Sequence, residues 1–161
     1  MSFKVLTEQI VAQHHSLLRR ELPYLSQLVK ELAEQTSEGS SLGEAEKLCN
    51  KIRTNIETHL RDEETLLFPT GIALEEGRIP PASDMDLLAR LQEMEQEHEN
   101  CGKGLQLLSQ MISAQPESEA RNKTLSTLQS IIADMDVHVE KENTQVHPHF
   151  LELMKNAPAT H

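Results

Sequence analysis

The chain has 161 residues and a formal net charge of −11, a size that suits one domain with its own core and a charge that repels a phosphate backbone. No Lys/Arg cluster or basic and aromatic stripe relieves that charge, so nucleic acid is excluded as an expected partner. No run of about 18 apolar residues offers a membrane span, and the start "MSFKVLTEQIVAQHH" lacks a signal-peptide pattern, so the expected location is the cytoplasm. Cys49 and Cys101 have no zinc or redox spacing and read as separate free thiols.

Gly and Pro punctuation divides the chain into four long segments with helical periodicity and no strand-like alternation. The first runs from about Lys4 to Thr36, where "SEGSS" supplies a loop. Its inner face is Val11, His15, Leu18, Leu22, Leu25, Val29 and Leu32, with Pro23 expected to kink it. The second opens on Ser41 and Glu44 as a capping box and carries Leu48, Ile52, Ile56, His59, Glu63 and Leu66 inward until Pro69 ends it. The stretch "GIALEEGRIPPAS" reads as the longest connection. Ser83 then caps a third helix that faces inward through Leu87, Leu91, Met94, His98, Cys101, Leu105, Leu108 and Ile112. After "AQPES" the fourth helix turns Leu125, Leu128, Ile132, Met135, His138 and Glu142 inward, and Pro148 interrupts its pattern. The expected fold is all-α: a single up-down-up-down four-helix bundle over residues 1–161.

The chain also repeats itself. A shift of 79 residues lays "HLRDEETLLFP" from His59 onto "HVEKENTQVHP" from His138, and a shift of 83 lays "LPYLSQL" from Leu22 onto "LQLLSQM" from Leu105. The bundle is thus expected to be two pseudo-symmetric helical hairpins.

Each helix places one His on its apolar face, and the second and fourth add a Glu four residues on, which projects from the same side. In antiparallel neighbours two residues share a level when their midpoint falls in the connecting loop. The midpoint of His15 and Glu63 is residue 39, that of His59 and His98 lies between 78 and 79, and that of His98 and His138 is 118, all in or beside the loops. His15, His59, Glu63, His98, His138 and Glu142 should therefore meet in one layer. A lone core His is usually just hydrogen-bonded, but two buried carboxylates with no Lys or Arg beside them need a cation. Six side chains could surround one octahedral ion, yet the symmetry favours two ions bridged by both glutamates, each ion holding two His and an oxo or hydroxo bridge. Imidazole and carboxylate without thiolate suit iron, manganese or zinc.

The residues "IVAQHHSLLRRELPYL", "HLRDEETLLFP", "EHEN" and "HVEKEN" resemble the hemerythrin-like HHE cation-binding domains along nearly the whole chain. The resemblance is strongest to the di-iron proteins linked to repair of iron centres after nitrosative and oxidative stress, and it implies two Fe ions on the same six residues. It implies as ligands small diatomics (O2, NO) or peroxide, with an electron donor that nothing in the sequence identifies. Oxygen-carrying hemerythrins differ in having a further His four residues after the third-helix ligand and a C-terminal Asp, where this chain has Gly102 and, five after His138, Asn143. It also departs from many repair-type members in lacking an N-terminal cysteine-bearing segment and in placing "VHPHF" around the last Pro. Whether the protein turns over a substrate as an enzyme stays open, the second reading being a non-catalytic redox sensor or metal-handling module with a separate output partner. His14 is expected beside the ligands or at the surface, His147 and His149 at the surface or the end of the bundle, and Cys101 as a small apolar filler that could line the pocket.

Overall fold

The computed structural model describes residues 1–36, 42–80 and 87–157, and Ser41 and Ser83, read above as helix caps, lie outside them. Four helical rods account for the described core: α1 over 3–35, α2 over 42–75, α3 over Leu87–Ser113 and α4 over 119–155. Each packs on the two rods adjacent in the ring, α1 on α2, α2 on α3, α3 on α4 and α4 back on α1, as an up-down-up-down bundle requires. Among the described residues there is no strand, and no helix is long and apolar enough to cross a membrane.

Three of the rods contain one wider π turn: Val11–His15 in α1, Glu63–Leu67 in α2 and Glu142–Val146 in α4. Each adds a residue to the turn, and the amides of Ser16, Phe68 and His147 donate five residues back, to Val11, Glu63 and Glu142. Because of this widening Pro69 does not end α2 and Pro148 does not end α4. A ring without an N–H is tolerated where the ladder changes register, and helix resumes over Phe68–Glu75 and His147–Lys155. The connection after α2 is correspondingly shorter than the sequence implied, since residues 71–75 of "GIALEEGRIPPAS" are helical. Pro23 likewise lies within an unbroken Ser16–Gln35 helix. The hairpin repeat extends to the π turns of α2 and α4, in which Thr65 and Thr144 both donate to the carbonyl four residues back at 2.7 Å.

Helix ends are fixed by side chains. Ser2 accepts the Val5 amide at 3.1 Å, while Glu75, at the far end of α2, accepts the Phe3 amide at 2.8 Å and the Lys4 amide at 3.2 Å. Gly77 closes α2 with φ +71, a conformation that favours glycine, and Arg78 then donates to Ala73 at 2.7 Å.

The core is two bodies rather than one. The larger contains Leu18, Leu22, Leu25, Ile52, Ile56, Leu105, Leu108, Ile112, Leu128 and Met135; the smaller contains Phe3, Leu6, Ile10, Leu67, Phe68, Leu91, Met94, Val146 and Phe150. The inner face predicted for α3 is buried at every position. On α2 the buried residue past Glu63 is Leu67 rather than Leu66, because the π turn advances the face by one residue. On α4 Thr124 and Ile131 are buried and Leu125 and Ile132 half-buried, so the predicted stripe was one residue off at two positions. Thr124 meets burial by donating to the Ala120 carbonyl at 2.8 Å.

Candidate metal centre

Between the two apolar bodies lies a polar layer made by one or two residues from each rod. His15, Glu63 and Glu142 are 0–1 % exposed, and His59, His98 and His138 no more than 6 %. Glu63 opens the π turn of α2, Glu142 opens that of α4 and His15 closes that of α1; only His98 comes from a rod without one. The four His and two Glu singled out by the sequence thus come together, each imidazole directing Nε2 inward. His15 Nε2 is 3.1 Å from Glu63 Oε2, and His59 Nε2 is 2.5 Å from Glu63 Oε1. His98 Nε2 is 2.8 Å from Glu142 Oε2, and His138 Nε2 is 2.7 Å from Glu142 Oε1.

The carboxylates divide their oxygens. Glu63 turns Oε2 to His15 and Oε1 to His59, while Glu142 turns Oε1 to His138 and Oε2 to His98. Two groups result, His15, Glu63, His138 and Glu142 on one side and His59, Glu63, His98 and Glu142 on the other, each with ligand atoms within 4.8 Å of one another. The donor atoms are crowded without enough hydrogens to join them. Glu63 Oε1 and Glu142 Oε2 are buried without an aligned hydrogen-bond donor, and the Nε2 atoms of His59 and His98 lie 2.8 Å apart. Lone pairs so arranged need positive charge between them, and these side chains fit metal cations in both groups.

The electrostatics agree. Burial opposes charge on Glu63, but the surrounding imidazoles of His15, His59 and His98 outweigh it and hold the carboxyl well below its usual range. Burial equally opposes the imidazolium form of His98, and the carboxylates of Glu142 and Glu63 overcome it, raising His98 to about 10. His59 and His138 are raised against burial by Glu63 and Glu142 respectively.

Behind the inner nitrogens lies a set of partners that pattern reading did not assign. His59 Nδ1 is 2.6 Å from Glu97, which is tied at 2.9 Å to Arg90, itself 2.6 Å from Asp62. His15 Nδ1 lies 3.4 Å from Glu64, which Arg19 engages, and the His15 ring stacks on Phe68 with centroids 5.8 Å apart. His14 is buried, its Nδ1 2.7 Å from Asp134 and its Nε2 3.0 Å from Lys141, with its ring parallel to His138 at 5.3 Å. It belongs beside the ligands, one of the two places expected for it.

His147 departs from its expected place at the surface or the end of the bundle. It is 2 % exposed and its ring lies parallel to His98 at 6.1 Å, with Nδ1 3.4 Å from Glu95 and Nε2 buried without a partner. Burial lowers its pKa. The π turn at Glu142 brings it inside, a shift that a 3.6-residue period does not register. His149 stays half-exposed with its ring edge-on to Phe3. Gly102 and Asn143, at the places compared with oxygen carriers, are exposed.

Cys101 and Cys49 are separate buried thiols. Burial, with a contribution from the Glu97 charge, pushes the Cys101 thiol up to about 11, so it presents a neutral surface.

The hemerythrin HHE cation binding domain matches the chain over residues 6–150. No curated protein matches it. With the match spanning most of its length and buried His and Glu groups able to hold cations, the chain belongs to the hemerythrin HHE cation-binding family.

Proposed function

We propose that this is a non-haem di-iron protein that binds or reduces O2, NO or peroxide, acting in the response to nitrosative and oxidative stress and in repair of iron centres. His15, His59, His98 and His138 would hold the ions through Nε2, and Glu63 and Glu142 would each offer one oxygen to either group. The observation that carries this reading is the division of both carboxylates between two His pairs, because a single ion would not use oxygens turned to opposite sides. Bound there, iron would supply one-electron steps and open coordination positions, manganese and zinc being the other cations that this donor set accepts.

The remaining work belongs to the protein. All six ligand side chains sit on rods packed by apolar bodies above and below, which limits their movement and keeps bulk water out. Glu97 orients His59, and His14 and His147 hold the rings of His138 and His98 by stacking. Neither Gly102 nor Asn143 offers a seventh protein ligand, so the two sides stay equivalent, unlike a carrier that saturates one ion and leaves the other open. Tyr24 is 41 % exposed and lies against Lys123, too far toward the surface to serve as a radical trap at the cluster.

Metal content and the optical spectrum of protein purified without air, then exposed in turn to O2 and NO, test the reading. Two irons per chain, irreversible oxidation in air and nitrosyl bands with NO are expected. A reversible O2 adduct over many cycles would return the chain to the carriers. Silence towards both gases would favour a structural or metal-handling role.

A further inference from the structure

The two ligand groups are equal in the residues that face inward and unequal in those behind them. The shifts of the internal repeat carry His15 onto His98, His59 onto His138 and Glu63 onto Glu142, so each group is a copy of the other. The same shifts carry His14 onto Glu97, Glu64 onto Asn143 and Phe68 onto His147, and none of these pairs keeps its chemistry. Phe68 stacks on His15 where His147 stacks on His98, an apolar ring exchanged for an imidazole. His14 stacks on His138 with its own nitrogens turned to Asp134 and Lys141, whereas Glu97 meets the edge of His59, its Oε2 2.6 Å from Nδ1.

An imidazole that turns Nε2 to a cation carries its hydrogen on Nδ1 and needs an acceptor for it. Among the described residues only His59 has one. Nδ1 of His15, His98 and His138 is buried without a hydrogen-bond partner, Glu64 standing 3.4 Å from His15 unaligned and engaged by Arg19. Glu97 is held in its turn by Arg90 at 2.9 Å, and Arg90 by Asp62 at 2.6 Å, which fixes the carboxylate against His59. The inner nitrogens of this group are also closely gathered: Nε2 of His59 and His98 lie 2.8 Å apart, and the ring centroids are 4.5 Å apart against 5.1 Å for His15 and His138.

We infer that the two groups fill in order, the one with His59 and His98 taking its cation first, and that Glu97 sets this order by holding His59 in the ligating tautomer and strengthening Nε2 as a donor. The inference rests on the two-ion reading of the cluster and adds an inequality that the six ligands themselves do not have. A chain with one ion is then a defined state, with the His15 and His138 side still open.

Zn2+ alone, a diamagnetic cation that this donor set accepts, titrated into the metal-free full chain and followed through the ring nitrogen resonances, tests the order. The first equivalent should shift Nε2 of His59 and His98 and leave His15 and His138 in place, and the second equivalent should shift those two. Two ions bound with all four rings shifting in parallel, or with His15 and His138 leading, overturns the inference and leaves the two-ion reading standing. Saturation of all four rings by a single ion removes both. Glu97→Gln keeps an oxygen at the position and loses the charge, so it should weaken the first binding step about tenfold, leave the second as it was and bring the four rings towards a parallel shift. Glu97→Asp, which keeps the charge and falls short of Nδ1, gives the same comparison if the glutamine variant fails to fold. A merely structural Glu97 would lower the melting temperature and leave the order intact, and an unchanged order in either folded variant overturns its assignment.

Discussion

Glutamine differs from glutamate by one donor group, and at positions 63 and 142 that difference falls on an atom already facing a ring nitrogen. An amide gives one oxygen to one side and an N–H to the other, so Glu63→Gln and Glu142→Gln are each expected to leave at most one ion per chain. Metal analysis with Mössbauer spectroscopy checks this, and a magnetically coupled pair surviving in either variant would remove the bridging assignment. His59→Ala is expected to lower bound metal and the melting temperature together, since it deprives Glu63 of a buried partner and leaves Glu97 without its imidazole. Two metals per chain with unchanged melting would contradict it. The six cluster residues were legible in the sequence because buried carboxylates with no cationic neighbour are costly enough to demand an explanation. His147 was not, because its burial depends on a turn wider than the periodicity assumed.

At the scale of elements, the rods and their antiparallel order follow from Gly/Pro punctuation and an apolar period, and α3, which has no π turn, matches its predicted face throughout. The α2 rod departs where its turn widens, at Leu67, whereas α4 already departs at Thr124 and Ile131, ahead of its wide turn. A Pro after a π turn reads in sequence as a stop, yet Phe68–Glu75 and His147–Lys155 continue and carry Phe68 and Phe150 into the smaller apolar body. That body also depends on the N-terminal turn. Phe3 lies on Gly71 so closely that a Cβ built on Gly71 would fall 2.1 Å from its ring. Gly71→Ala should therefore displace Phe3 and destabilise the protein by about 1–3 kcal/mol, the usual cost of overpacking a filled core. Chemical denaturation measures it, and an unchanged midpoint would mean that Phe3 contributes nothing to that end of the bundle. The metal content of this variant should stay that of the parent.

For the whole molecule, pH acts on the cluster in a direction set by its shifted groups. In the metal-free chain the pKa of His98 rises on folding from 6.5 to about 10, so its contribution to stability is complete below about pH 6.5 and is lost as pH rises through about 10. Glu63, held low, contributes above about pH 4.5, and that contribution is lost as pH falls through its depressed value. Metal-free protein should accordingly be most stable between about pH 4.5 and 6.5. In the loaded protein cations replace those protons, so the gap in melting temperature between loaded and metal-free forms should widen from pH 6.5 to 9. A gap that narrows over that range in paired thermal scans would contradict the charge balance drawn for the layer.

The division of the core by that layer has a mechanical consequence. Two apolar bodies joined only through a polar layer held by shared protons amount to two less firmly fastened blocks, and ions gripped by all four rods would rivet them into one. Without the rivets the block holding Phe3, Leu91 and Phe150 has fewer side chains to keep it shut and should loosen first. Limited proteolysis of the metal-free chain is expected to begin in residues 1–15 or 146–157 while the segment around Leu105–Ile112 survives; metal should delay cleavage at both ends alike, and identical digestion patterns in the two forms would refute it. Where the cation is scarce the chain would then be open at one end to proteases, so that the supply of metal sets its lifetime.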